Sequence, residues 1–495
     1  MVLTKSKTVS MVLCLLIYLE FASAFHYNGG ELIYLDRSYN CIPLLATVLF
    51  SGYFIALANT VGNSIAFAKH ILVVATGESD FNDKAELVRY IAISILTVVC
   101  FLHMISNNLV LFLNKTFAYF KVLLLFVVAC RGFYKRNPDA LNDWSGASDF
   151  KSSMAALVPI FYAFEGWENA TYVTGEFQRM STGNVEDKKK LRQGSFVAVF
   201  IVTALYMLAT AGYFCVLTYD EIENQEGSGG DLSIVTQFAQ AAFGNSVGIA
   251  ICISLSAVGN LIAVIYTYSR VKQSMAIQSF LPFSNLLKRN KDHPIGGIVV
   301  HWIVTVATII ALPNDADGYG FVVGIFSYGH TIIAVFTGLG FVWIRTTVDR
   351  TEWFRYVDGW QADFSWWNHG YNRVAIAFVF ILLNMNVVVC APMNLKGDAD
   401  GIPRWRWPVI FFAVEGVSFV YWAILRLMDT RRFEDIMKFR LHIYTAENNP
   451  DAAEKEESRI DGSRRRVHVE YSQTAYGKLI DTTRGFGKKL QKHFW

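Results

Sequence analysis

The segment at 194–218, with FVAVFIVTALYMLATAGYFCVL at its centre, is apolar around its whole circumference. A helix resting on a soluble core shows a polar face every three to four residues. A stretch of about 20 residues without such a face has the length and chemistry of a bilayer crossing. The same pattern recurs at 9–25, 41–68, 90–105, 108–130, 153–177, 246–269, 294–312, 319–344, 372–392 and 407–427, so about eleven spans are expected. Composition agrees: only 17% of residues are charged and 53% are hydrophobic, where a soluble domain has about a quarter charged. The chain therefore reads as an all-α polytopic membrane bundle over 1–428, followed by a polar tail at 429–495.

Several function classes fall away at once. A formal net charge of +3, with no basic stretch interleaved with aromatics, excludes a nucleic-acid groove. Cys14, Cys41, Cys100, Cys130, Cys215, Cys252 and Cys390 each lie in or beside an apolar run and form no CxxC pair. They read as small buried hydrophobes, not as a disulfide framework or a thiolate metal site. No metal or other cofactor is expected. The chain has no P-loop, GxSxG, HExxH or GxGxxG before a helix, which excludes a nucleotide-driven pump and leaves no nucleophile–base set for an enzyme. Asn114 and Asn169 open glycosylation sequons, but both fall inside apolar segments where no glycan is added.

Loop charges set an orientation. Lys188, Lys189, Lys190 and Arg192 form one basic cluster, and Arg270, Lys272, Lys288, Arg289 and Lys291 a second. Arg345, Arg350 and Arg355 follow, and Arg426, Arg431 and Arg432 open the tail. The alternating loops are acidic, with Asp220, Glu221, Glu223, Glu226 and Asp231 in one and Asp315 and Asp317 in another. Basic loops in the cytoplasm place the C-terminal tail inside and, with eleven spans, the N-terminus outside. Arg131, Lys135, Arg136, Arg404 and Arg406 run against this majority. The start has features of a signal peptide in Lys5, Lys7, an apolar centre and Ala22-Ser-Ala24, yet Glu20 interrupts the apolar stretch. The expectation is that a preceding helix is missing from this chain. The tail reads as a solvated segment resting partly on anionic lipid.

Polar groups inside spans are expensive unless paired or hydrated, so they mark function by default. The span at 153–177 holds Glu165, Gly166, Trp167, Glu168 and Asn169 within five residues. A helix broken at Gly166 accommodates them if its freed N–H and C=O groups line a water-filled cavity. Such a break suits a small zwitterion: helix N-terminal N–H groups take a carboxylate, and carbonyl or side-chain oxygens take an ammonium. Trp167 or Phe164 would close over it. The plain alternative puts Glu165 and Glu168 at a helix end near the headgroups. Lys121 reads either as a buried cation standing where a sodium ion would sit or as a snorkelling edge residue. Ser254, Ser256, Gly259 and Asn260 form a small-polar stripe, and Asn59, Asn63 and Ser64 stand near Gly52 and Gly62. Helix packing through small residues is the commoner explanation of such a stripe, with site lining as the alternative, and the second group allows the same two readings. His330, in the run Phe326 to His330, is a titratable group or a hydrogen-bonded interior histidine.

These residues resemble a known family. FYAFEGWENATYVTGEF at 161–177 is similar to the sixth-helix signature of the amino acid–polyamine–organocation superfamily. YLEFASAFHYNGGELIYL at 18–35 resembles its second helix and following loop through Glu20, Gly29, Gly30, Glu31, Tyr34 and Leu35. SLSAVGNLIAVIYTYSRVKQSM at 254–275 resembles the eighth. The details look most like the L-type branch and its fungal high-affinity methionine permeases. The resemblance implies two inverted five-helix repeats plus two further helices, with substrate at the midplane between broken first and sixth helices. It makes Lys121 similar to a fifth-helix lysine that replaces sodium, which favours proton coupling. On this resemblance, helices two to twelve are expected here and the first is expected to be missing.

The reading is a secondary transporter of neutral L-amino acids, methionine-like ones favoured, working by alternating access in a plasma membrane. Phe164, Glu165, Gly166, Trp167 and Asn169 are the expected substrate contacts, with Ser256 and Asn260 on a facing helix and Lys121 as the ion-coupling residue. Substrate, proton and lipid are the expected partners. The alternative is a non-transporting amino acid sensor that signals through the tail, or an inactive truncated permease.

Overall fold

The computed structural model describes residues 12–138 (except 23–24, 26, 40–41, 78–80 and 82–83), 140, 158–175 (except 159, 161 and 167), 185–218, 221, 231–287, 293–312, 318–347, 370–393 and 405–427. The tail expected at 429–495, and Trp167, lie outside the described residues.

The described chain is helical. In order the helices are α1 (Val12–Ala22), α2 (Glu31–Ser38), α3 (Leu45–Ala56), α4 (Val61–Thr76), α5 (Ala85–Ile105), α6 (Asn107–Tyr134), α7 (Val185–Phe214), α8 (Asp231–Phe243), α9 (Ser246–Ile277), α10 (Ile295–Ala311), α11 (Gly318–Thr347), α12 (Gly370–Cys390) and α13 (Arg406–Leu427). Eight spans among the described residues are long and apolar enough to cross a membrane, and α1, α8 and α10 supply shorter apolar helices. Helix α8, which was not among the expected spans, lies against α6 and α9 and stacks Phe238 on Tyr213 at 4.0 Å.

Three helices define inside and outside. In α11, 89% of the most apolar stretch is buried, against 6% in α6 and 17% in α13. Helix α11 is thus the centre of the bundle, packed by α12, α2, α13 and α4. The outer helices present Phe112, Leu123, Phe126, Phe200, Phe412 and Val417 to their surroundings. Each such side chain would cost about 1.5–3 kcal/mol in water, so the exposed belt needs lipid as its solvent. The protein is an integral membrane bundle.

Local sequence explains where the elements stop. Ser106 is extended and its Oγ accepts from Leu109 N–H, capping α6 and dividing 85–134 into two helices. Asn245 caps α9 through Val247 N–H at 2.8 Å. Gly77, at φ +73, ends α4.

The structure corrects the sequence reading in two places. The expected span at 41–68 falls in one candidate crossing, Leu45–Thr76, but that crossing is not a continuous helix: it is α3 and α4, separated at residues 57–60. Asn59 Oδ1 takes Val61 N–H at 3.1 Å, replacing one of the backbone bonds the break removes. Arg270 and Lys272, expected in a basic loop, belong to α9 and are 2% and 3% exposed. Helix α9 is 32 residues long, so its last two turns remain inside the bundle.

Candidate functional site

The expected break at Gly166 is present. Gly166 has φ +115, a conformation that side-chain-bearing residues rarely adopt, and helix resumes as a single turn over Asn169–Tyr172. Glu165 N–H donates to Tyr162 C=O at 3.1 Å, and Asn169 N–H donates to Gly166 C=O at 3.3 Å, so the chain tightens on both sides. Both oxygens of the buried Glu168 carboxylate accept from Gly166 N–H, at 3.1 and 2.9 Å. Glu168 therefore caps the freed donor from within the segment.

Glu165 points elsewhere. Its Oε1 stands 3.2 Å from His330 Nδ1, and His330 Nε2 stands 3.0 Å from Glu31 Oε1. Glu31 is 1% exposed and takes two further donors: Tyr18 OH to Oε1 at 2.6 Å and Tyr172 OH to Oε2 at 2.8 Å. One imidazole on α11 thus joins the helix break to the start of α2, and tyrosines from α1 and from the turn after the break hold the far carboxylate. Gly30 makes this approach possible: its φ is +53, and a Cβ there would lie 2.3 Å from the Tyr172 ring.

Asn169 faces α9, where Thr267 Oγ1 donates to its Oδ1 at 3.0 Å. The structure does not bring Asn169 to Ser256 or Asn260. Asn260 lies seven residues before Thr267, about 10 Å along the helix, and accepts from Lys121 Nζ of α6. Gly259 allows that pairing, because a Cβ there would meet Phe117 at 2.7 Å and Lys121 at 3.2 Å. Ser256 is half-buried one turn earlier. The Phe164 ring packs edge-on against Tyr206 of α7 at 5.0 Å, among Leu15, Leu19 and Val199.

A second polar knot lies at the gap between α3 and α4. Lys272 Nζ reaches His301 Nδ1 at 2.8 Å and Ala58 C=O at 3.3 Å, and His301 Nε2 meets Thr60 Oγ1 at 3.0 Å. Sequence reasoning noticed His330 without giving it a role, and it missed the inward turn of Lys272 and His301. The available signal was a lone histidine in an otherwise apolar span, beside small polar residues for His330 and among Ile, Val and Trp for His301. Among the described residues no group of three His, Cys, Asp or Glu side chains could hold a metal ion.

Taken together, a broken helix carries two carboxylates and an amide into an apolar bundle. Such an arrangement can take a small cation-bearing ligand and bind protons; it offers no activated nucleophile.

Comparison with known proteins agrees with this architecture. A family model described as amino acid permease matches residues 7–414. The low-affinity methionine permease of Saccharomyces cerevisiae is 28% identical over 66% of this chain and 60% of its own length. The high-affinity methionine permease of the same yeast is 24% identical over 83% of this chain and 70% of its own length. The human b(0,+)-type amino acid transporter 1 is 22% identical over 68% of this chain and 66% of its own. The chain thus spans about 60% of the length of the low-affinity methionine permease.

Proposed function

Because the chain belongs to the amino acid permease family, we propose that it is a secondary carrier of neutral L-amino acids, with methionine as a principal substrate. The observation that carries this reading is the break at Gly166, which sets Glu165, Glu168 and Asn169 inside an apolar bundle. A surplus of carboxylate suits the ammonium of an amino acid, and carbonyls freed by the break suit the same group. An apolar side chain then needs only a greasy wall. The names of the two yeast relatives support methionine among the neutral substrates.

In this reading Glu165, Gly166, Trp167 and Asn169 contact the substrate main chain, with Phe164 closing the site and Ser256 and Asn260 lining its approach. Lys121, paired to Asn260 across α6 and α9, supplies a fixed cation where another carrier would hold sodium, and transport is driven by protons. Access alternates as the helices carrying the break rock against the rest of the bundle. The protein works in the plasma membrane with residues 429–495 on the cytoplasmic side.

The test is uptake of radiolabelled methionine into cells deficient in their own methionine carriers. Gly166→Leu, which cannot hold φ +115, is expected to abolish uptake while the protein still reaches the membrane. Uptake at the unmodified rate in Gly166→Leu would refute the site.

A further inference from the structure

The Glu31–His330–Glu165 bridge is short of a proton if its histidine is neutral. Glu31 accepts from Tyr18 and Tyr172, and against its ionised carboxylate, which has no hydrogen to give, His330 Nε2 at 3.0 Å can only donate. A neutral imidazole has no second N–H. Its Nδ1 lone pair would then face Glu165 Oε1 at 3.2 Å, acceptor against acceptor. The contact exists only if one more proton lies on Nδ1 or on the Glu165 carboxyl.

We infer that this bridge is a proton-binding site, in which a single exchangeable proton between His330 Nδ1 and Glu165 latches the helix break to α11. Binding forms one N–H or O–H bond; release returns that proton to water and changes no other bond. After release, a lone pair and a carboxylate repel each other and Glu165 swings from α11, moving the backbone beside Gly166. Of the two carboxylates, Glu165 is the one with a route out: its side chain is 14% exposed against 1% for Glu31.

The neighbouring charges leave this contact as the movable one. From α1 comes Tyr18, from α2 Glu31, and from the broken segment Glu165, Glu168 and Tyr172, with Glu168 close enough for its charge to act on His330. On α2, Asp36 takes Thr47 Oγ1 and Arg37 lies over the Phe25 ring. On α12, Arg373 is tied to Glu20 at 2.9 Å. On α4, His70 turns to its own Ala66 carbonyl beside Lys69, and on α13 Glu415 lies one turn beyond Phe411.

The consequence for transport rests on the carrier reading above; the proton itself does not. Full-length protein in lipid nanodiscs, labelled with ¹⁵N-histidine, is titrated by NMR, with the His330 signals assigned by their loss in His330→Gln. The expected result is an Nδ1 that loses its proton as pH rises while Nε2 keeps its own. In Glu165→Gln the amide N–H satisfies Nδ1, and the change disappears. An Nδ1 state that is constant with pH, or a titration identical in Glu165→Gln, overturns the inference. In proteoliposomes, methionine accumulation driven by a pH gradient is compared with exchange at equal pH. His330→Gln is expected to lower the ratio of accumulation to exchange at least tenfold, and an unaltered ratio overturns the coupling. Absence of methionine movement by the unmodified protein in both assays counts against the carrier reading alone, since the histidine spectra judge the bridge independently.

Discussion

Lys272 donates from Nζ to His301 Nδ1 at 2.8 Å, deep between α9 and α10. This contact fixes the histidine tautomer: Nδ1 accepts, so Nε2 carries the hydrogen and donates to Thr60 Oγ1. The lysine also donates to Ala58 C=O, a carbonyl in the gap between α3 and α4, and lies over the rings of Phe54 and Tyr268 at 5.7 and 6.0 Å. These contacts offset part of the cost of taking an ammonium from water. Lys272 is therefore the strut that holds a discontinuous helix in one shape.

Lys272→Met is expected to leave the Ala58 carbonyl and His301 Nδ1 without their donor, at about 1–3 kcal/mol for each buried group stranded. Hydrogen–deuterium exchange should rise at residues 57–61 while α11 stays protected. Unchanged exchange there would show that Asn59 alone holds the gap.

Gly30→Ala must fail on two counts, the backbone at φ +53 and the Tyr172 ring 2.3 Å from the new Cβ. The backbone alone costs about 1–3 kcal/mol. Thermal unfolding in detergent should show a clear loss. Gly30→Ala combined with Tyr172→Ala should recover only the steric part, because Glu31 then lacks one donor.

Glu20 and Arg373 form a buried ion pair at 2.9 Å between α1 and α12, with side chains 3% and 6% exposed. Removing either residue takes from the other its buried counter-charge across α1 and α12 and should cost about 3–5 kcal/mol. Glu20→Leu with Arg373→Leu should be far less harmful than the sum of the single changes. Additive losses in a double-mutant cycle would show that the pair is not coupled.

Lys121→Ala is expected to reduce methionine uptake about tenfold or more, which corresponds to about 1.4 kcal/mol. Lys121→Arg should not restore it, since a planar guanidinium does not replace a compact ammonium opposite Asn260 where Gly259 leaves so little room. Full uptake by Lys121→Ala would remove this residue from the coupling scheme.

The membrane bundle was legible in the residues alone, because apolar runs of span length allow few other folds. So was the break at Gly166, since Glu165, Glu168 and Asn169 could not sit on an unbroken lipid-facing helix. Those are local facts, readable from adjacent residues. The tertiary structure alone decided partners. Glu31 and His330 are 299 positions apart, and nothing in either neighbourhood names the other. Lys272 read as a loop charge because a basic residue at the end of an apolar run usually marks the membrane edge. Only the length of α9 and the packing of α10 against it turn that lysine inward. The gap at 57–60 was hidden in a similar way: it lies within a long, mostly apolar run, and the group that meets its freed Ala58 carbonyl, Lys272 Nζ, comes from a distant helix. Burial makes every unpaired polar group costly, so tertiary packing, which settles what each polar side chain meets, also settles which of them can work.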